Sequence, residues 1–272
     1  MQRVSSRIVN LHDRWLDPPA LSFFQTISDA GFDPDAHIDV LPRHRLIYFC
    51  VPKCASTTIK SALSALELGR APPPDKLHTR RYSGIKSPTQ IGLSAFHQLA
   101  NNRATLRFAF VHNPYARLVS AWADKFQDKP LVPGDSFVDL YLMHRVAIDG
   151  ALPKGPDQTL SFSQFVDFAA ASSNGRVNAH WQAQDDLLNL PGINLNLIGK
   201  VESFRKDFAY VLDHVGADRQ IRQALSVNHN VSRHRPWPHY YTDALAARVH
   251  RAYERDFDRF GYARAIKETA LA

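Results

Sequence analysis

Between Leu46 and Leu63 the chain reads LIYFCVPKCASTTIKSAL. An apolar run stops at Pro52 and Lys53, and the hydroxyl residues Ser56, Thr57 and Thr58 open the next stretch. This is the layout of a strand, a tight loop and a helix N-terminus. Backbone N–H groups and the helix dipole favour an anion there, and the lysine adds a full positive charge. The loop is not a Walker A sequence, which requires GxxxxGK[ST]; it has no glycine, and its lysine precedes the hydroxyls. The next buried run, Leu106 to Val111, leads into His112 and Asn113 rather than the Asp that commonly holds Mg²⁺ in P-loop NTPases. The chemistry expected is metal-free binding of a 5′-phosphate group.

Regular elements must deliver these residues. Leu46–Val51 and Leu106–Val111 read as strands buried on both faces, and Leu195–Val201 as a third. Helices are expected over Ala20–Ala30, Thr57–Leu68 with a stop at Gly69, and Ser87 to about Leu99. Further helices are expected over Tyr115–Phe126, Phe137–Ile148 and Phe162–Ala171. Another runs from Ser203 to near Gly216, and the last from Thr242 to Phe260. Strands alternating with helices predict an α/β fold: P-loop-like, three-layered, with a central mainly parallel sheet flanked by helices. Residues 1–272 read as one domain, with 1–43 a lead-in and 44–262 the core. Ligands of such sheets bind beyond the carboxyl ends of the strands, so VPKCASTT and VHNPYARLVS are expected to serve one crevice.

The 272 residues carry a formal net charge of +7, with a pI near 9.5. That excess suits an anionic ligand or is a solvated surface. No motif for reading bases accompanies it, so no nucleic-acid partner is expected. Cys50 and Cys54 are too few and poorly placed for a disulfide framework, and no second thiol pair or close His pair suggests zinc. The first twenty residues lack an apolar signal core, and no run approaches the ~18 apolar residues of a membrane span. A cytoplasmic protein without an integral membrane segment is the expectation.

The pair VPKCASTT and FVHNPYARLVSAWADKF resembles the two cofactor loops of sulfotransferases. The second loop is similar to the pattern VRxPxxRLVSAYxDKF of carbohydrate sulfotransferases of the Golgi type (the sulfotransferase family 2-like branch) and their bacterial relatives. LNLIGKVESFRKDFAYVL resembles the family's FIGKxExLxxDxxYVL, NAHWQAQ its HWxPQ segment, and YYTDALAARVHRAYERDFDRFGY its final helix. What the resemblance implies is transfer of a sulfonyl group from 3′-phosphoadenosine 5′-phosphosulfate (PAPS) to a hydroxyl of a carbohydrate or glycoconjugate, releasing PAP without a metal.

Residues carry over from the resemblance one at a time. Lys53 stands where the family lysine neutralises the 5′-phosphosulfate and the developing leaving-group charge. Cys54, Ala55, Ser56, Thr57 and Thr58 complete that loop, with Ala55 in place of the usual glycine. Ser120 matches the serine that binds the 3′-phosphate, and His112 replaces the arginine that joins it. Histidine is half charged near pH 6.5 and offers fewer donors than arginine. Arg117 either binds phosphate or braces its helix through Asp124 or a neighbour. Ser232 and Arg233 lie where the family closes over the site; they contact PAPS or an anionic acceptor, or belong to a surface loop with its aromatics tucked under.

In-line transfer also asks for a base to take the acceptor proton. His78, between the two loops, is the first candidate among 13 histidines. A histidine in the same region of related carbohydrate sulfotransferases favours it. His97 is the runner-up and His180 the third, while Trp181 either fills the core or stacks on a sugar. Glu202 is expected to cap or pair locally. Two other functions fit parts of the chain: a degenerate, non-catalytic nucleotide- or glycan-binding protein, and a nucleotide-dependent phosphotransferase.

Overall fold

The computed structural model describes residues 17–29, 33–150, 159–172, 178–218, 221–222 and 234–266. Its contacts divide into two compact units: Met1–Val111 with Leu187–Asn230, and His112–Asp186 with Val231–Ala272.

The first unit is built on a four-stranded sheet in the order β1 (Ile38–Leu41), β2 (Leu46–Phe49), β3 (Leu106–Val111) and β4 (Leu197–Lys200). β2 to β4 run parallel, and β1 pairs antiparallel with β2. The fold is thus α/β with a central, mostly parallel sheet and helices, as the apolar runs predict. β2 is buried along its whole length, which is why its sequence shows no alternation. Phe108 and Phe110 on one face of β3 meet Phe208 and Phe204 of the helix α11 (Phe204–His214), at ring distances of 6.4 and 5.2 Å. Arg107 points to the opposite face and donates to the carbonyls of Ala100 and Asn102, at the end of helix α6 (Leu93–Asn101).

β1 lies in the stretch that reads as a lead-in. Its Asp39 is fully buried and interrupts the apolar pattern of IDVL. The carboxylate is tolerated because two cations share it. Oδ2 accepts from Lys60 Nζ at 2.6 Å and Oδ1 from Arg80 Nη1 at 3.0 Å. Lys60 lies on α3 (Ser56–Leu68), and Arg80 opens the short α4 (Arg80–Ser83). Breaking such a buried pair by removing one partner costs about 3–5 kcal/mol. A short helix α2 (Pro34–His37), capped by Asp33, leads into β1, and α1 (Pro18–Asp29) precedes it.

Two more boundaries differ from expectation. The helix from Ser87 is two, α5 (Pro88–Ile91) and α6, because Gly92 adopts φ +89°. Its start holds: Ser87 and Gln90 form a capping box. Ser203 makes no cap bond to the backbone of α11; its hydroxyl donates to Asp207 at 2.6 Å.

The second unit is helical: α7 (Pro114–Lys125), α8 (Ser136–Asp149), α9 (Phe162–Ala171), α12 (Asp243–Ala252) and α13 (Glu254–Phe260). α10 (Gln184–Leu188) spans the boundary between the units. Asn113, Asp135, Ser161 and Thr242 cap α7, α8, α9 and α12 with their side chains. Trp181 is fully buried against Phe126, Phe165 and Phe168, and its Nε1 donates to Ser172 Oγ at 3.1 Å. It fills the core. The last helix divides at Tyr253, whose φ of −120° leaves the helical range while its hydroxyl donates to Trp181 O at 2.6 Å. Among the described residues no helix is long and apolar enough to cross a membrane.

Gly199 in β4 is a packing requirement. A Cβ there would come within 2.5 Å of the Phe110 ring. Gly199→Ala is expected to destabilise the protein by roughly 1–3 kcal/mol through overpacking. Chemical denaturation should also show that adding Phe110→Leu makes the loss smaller than the sum of the two single changes.

Candidate active site

The loop after β2 is a turn of unusual backbone. Lys53 has φ +66° and Ala55 φ +59°, both left-handed without being glycine. Left-handed residues in a tight turn gather successive N–H groups into a concavity that favours anions. Ala55 is the N-cap of α3, and its side chain makes no cap bond. The first amides of a 13-residue helix, at Ser56, Thr57 and Thr58, therefore open beside Lys53 without a side-chain cap from that position. Cys54 faces inward, fully buried, with Sγ 3.7 Å from Pro52 O. It contributes backbone to the loop, not a thiol. Cys50 is also free and buried, and burial pushes its thiol above the ordinary range.

His78 belongs to this loop's surroundings. Its Nε2 stands 3.4 Å from Thr57 Oγ1, and its side chain is exposed. One helix face thus carries a hydroxyl of the loop in reach of an imidazole. The other two histidines have neighbours of a structural kind. His97, on α6, packs its ring 5.1 Å from that of Phe23. His180 holds Asn178 Oδ1 at 2.8 Å through Nδ1 and sets its ring edge-on to Phe137. His97, the runner-up, thus takes part in the α1–α6 contact.

The second loop follows β3. Phe49 of β2 pairs with Ala109 of β3 in parallel, so the two strands end at the same edge of the sheet. His112 is half-buried and its backbone is clamped. Its N–H donates to Gln184 Oε1 and its carbonyl accepts from Gln184 Nε2, both at 2.9 Å. Gln184 is itself fully buried and tied to Asp256 of α13, whose Oδ2 accepts from its backbone N–H at 2.9 Å and its Nε2 at 3.2 Å. Asp256 Oδ1 takes the N–H of Asp185 at 2.7 Å. Burial raises the Asp256 carboxyl above its ordinary value, opposed by the nearby Arg117 charge and these amide bonds. The glutamine of the NAHWQAQ segment is therefore the partner that sets the His112 backbone.

Of the two roles expected of Arg117, the structure shows contacts of the bracing kind. The residue is 1% exposed, and Nη1 and Nη2 each donate at 2.7 Å, to Gln182 O and Ala179 O. The brace runs to the 179–182 turn. A guanidinium so buried has two of its nitrogens committed to backbone carbonyls. Ser120 is half-buried on α7. Ser232 and Arg233 lie outside the described residues. Of the aromatics after them, Trp237 stacks on Tyr115 at 5.9 Å and Tyr240 packs on Trp122 and Phe162. Glu202 is exposed in the turn Val201–Ser203.

A sheet of this topology, with a lysine-bearing anion loop at the first parallel βα junction, defines an α/β protein of P-loop-like class. A profile described as "Sulfotransferase family" matches residues 36–263, and the chain belongs to that family. The match begins within α2, ahead of the core boundary expected at residue 44. Carbohydrate sulfotransferase 11 of Danio rerio is 32% identical over 200 residues, covering 68% of this chain and 54% of that protein. The enzyme of the same name from Mus musculus is 27% identical over 243 residues, covering 83% and 67%. Carbohydrate sulfotransferase 14 of Danio rerio is 27% identical over 233 residues, covering 83% and 62%. The chain thus spans about half to two thirds of the length of these relatives. The likeness to the carbohydrate sulfotransferases seen in the two loops holds over most of the chain. No solved structure matches it.

Ala55 at φ +59° supplies a direct test of the loop. A left-handed L-residue costs roughly 1–2 kcal/mol, part of which glycine gives back through unfolded-state entropy. Ala55→Gly should therefore stabilise the protein by about 0.5–1 kcal/mol, read as a melting temperature raised by roughly 1–3 °C. A lowered melting temperature would mean the loop does not hold this conformation.

Proposed function

We propose that this protein transfers a sulfonyl group from PAPS to a hydroxyl of a carbohydrate or glycoconjugate acceptor, releasing PAP, with no metal taking part. The observation that carries the reading is the left-handed Lys53–Ala55 turn opening α3, with His78 Nε2 3.4 Å from Thr57 of the same loop. A phosphosulfate fits this set: a lysine, hydroxyls and first-turn amides, and a base beside them.

PAPS, when bound, supplies a sulfonyl group on a phosphate leaving group. Lys53 balances the negative charge that grows on the 5′-phosphate oxygen as the sulfur–oxygen bond breaks. Ser56, Thr57 and Thr58 orient the 5′ end through hydroxyls and amides. His78 takes the proton of the acceptor hydroxyl as the new oxygen–sulfur bond forms. Ser120 and His112 are assigned to the 3′-phosphate on the family resemblance, with Gln184 fixing the His112 backbone. Arg117 is assigned the bracing of the 179–182 turn. The names of the relatives favour a carbohydrate over other hydroxyl compounds.

The test is turnover of labelled PAPS with a panel of glycans and small glycosides. Transfer is expected in the presence of a chelator and should fall at least a hundredfold in Lys53→Ala. PAP binding without turnover on any acceptor would favour the degenerate, non-catalytic reading. Turnover of ATP with Mg²⁺ in place of PAPS would favour a phosphotransferase.

The histidine in the second loop makes its own prediction. Arginine carries its charge at every accessible pH and binds phosphate with a rigid fork. His112→Arg should bind PAP more tightly than wild type at pH 8, by about tenfold, for one added charge-assisted contact. Calorimetric titration checks this, and equal affinities would remove His112 from the 3′-phosphate site.

A further inference from the structure

We infer that Asp39 is a positioning residue for the transfer site: its buried carboxylate sets the His78 imidazole against the phosphate-loop helix by holding the supports of both. The inference rests on the reading of His78 as the proton acceptor.

The contacts form a closed ring within the first unit. Thr57 and Lys60 lie three residues apart on α3, which places them on neighbouring positions of one helix face. Lys60 Nζ meets Asp39 Oδ2 at 2.6 Å. The other oxygen of Asp39 meets Arg80 Nη1 at 3.0 Å. Arg80 follows His78 by two residues, and His78 Nε2 returns to Thr57 Oγ1 at 3.4 Å. Every link is either a short covalent path or a polar contact. A shift of any one member moves the gap between His78 and Thr57.

The chain around His78 is anchored on both sides while its own side chain is exposed. Leu77 is buried immediately before it. Arg80 beyond it is held by more than the carboxylate: Nε donates to Asp35 O at 3.1 Å and Nη2 to Ile38 O at 3.0 Å. Asp35 in turn accepts from Thr89 Oγ1 at 2.6 Å and Thr89 N at 3.1 Å, which ties the start of α5 to the same corner. Leu77 and Arg80 thus fix the backbone that carries the imidazole on both sides.

The two cations are not equivalent. Lys60 contributes a point charge, whereas Arg80 uses the planar fork to reach one carboxylate and two carbonyls at once. Arg80→Lys therefore keeps the charge next to Asp39 and removes the fork. It is the informative variant beside Asp39→Asn, which strands the buried Lys60 and the half-buried Arg80 and is at risk of not folding.

The experiment uses the full chain with ¹⁵N-labelled histidine. The His78 imidazole signals are assigned by their loss in His78→Gln. In Arg80→Lys the imidazole signals of His78 should shift while those of His97 and His180 stay in place. The kcat for sulfonyl transfer should fall at least tenfold, with the KM for PAPS within about twofold. Asp39→Asn, where folded by melting temperature, should show the same pattern. A role in stability alone would lower the melting temperature and leave the His78 signals and kcat unchanged, and that result overturns the inference. Activity retained in His78→Ala would defeat the base reading instead, and the imidazole signals would still decide whether Asp39 and Arg80 set its position.

Discussion

A single buried carboxylate organises the sheet-bearing unit of this molecule. Asp39 has no access to water, so its charge is tolerable only with partners of opposite sign. The partners it has are Lys60 on the helix that leaves the phosphate loop and Arg80 beside His78. One constraint therefore serves three purposes. It fastens the edge strand β1 to the sheet's helical cover, fixes the rotation of α3, and brings the following chain back to the loop. A buried pair of this kind is weak evidence of net stability, since an apolar replacement often does as well; its value lies in geometry.

The second constraint is the backbone of the loop itself. Lys53 and Ala55 hold left-handed angles that glycine would adopt without strain. The turn is kept in shape by its surroundings: buried Cys54 below and the first hydrogen bond of α3, from Ile59 N to Ala55 O at 3.0 Å, beyond. The second loop follows a different principle. There the backbone of His112 is held by the two ends of one amide, and that amide by Asp256. In each unit, side chains with no access to solvent fix a short polar segment that has some.

Much of this was legible in the residues. β2, β3, α3, α7 and α9 carry uninterrupted apolar or 3.6-residue patterns with clear stops, and their boundaries fall within two residues of the structure. The loops at the ends of β2 and β3 announce themselves through Lys53, the hydroxyls and the NPYARLVS segment. β1 was hidden because its central residue is an aspartate, and only long-range pairing makes that residue compatible with a buried strand. For Arg117 a bracing role was one of two readings, but its partners were not visible. An arginine in a phosphate loop reads equally as ligand or brace until the carbonyls of Gln182 and Ala179, more than sixty positions away, are seen to hold it. Gln184 stood in a segment marked by the family likeness, yet nothing local says that its amide faces the His112 backbone. The divisions at Gly92 and Tyr253 show the same limit. Gly92 is a local signal that could have been read, whereas the turn at Tyr253 goes with a hydroxyl bound to a distant carbonyl.

The central claim is that the β2 loop is an anion clamp whose charge comes from Lys53 and not from a metal. Isothermal titration of the full chain with PAP, in chelator, tests it most directly. The account predicts saturable one-to-one binding that a chelator does not weaken and that Lys53→Ala weakens at least tenfold. Binding that appears only when a divalent cation is added, or that is the same in Lys53→Ala as in wild type, would contradict it.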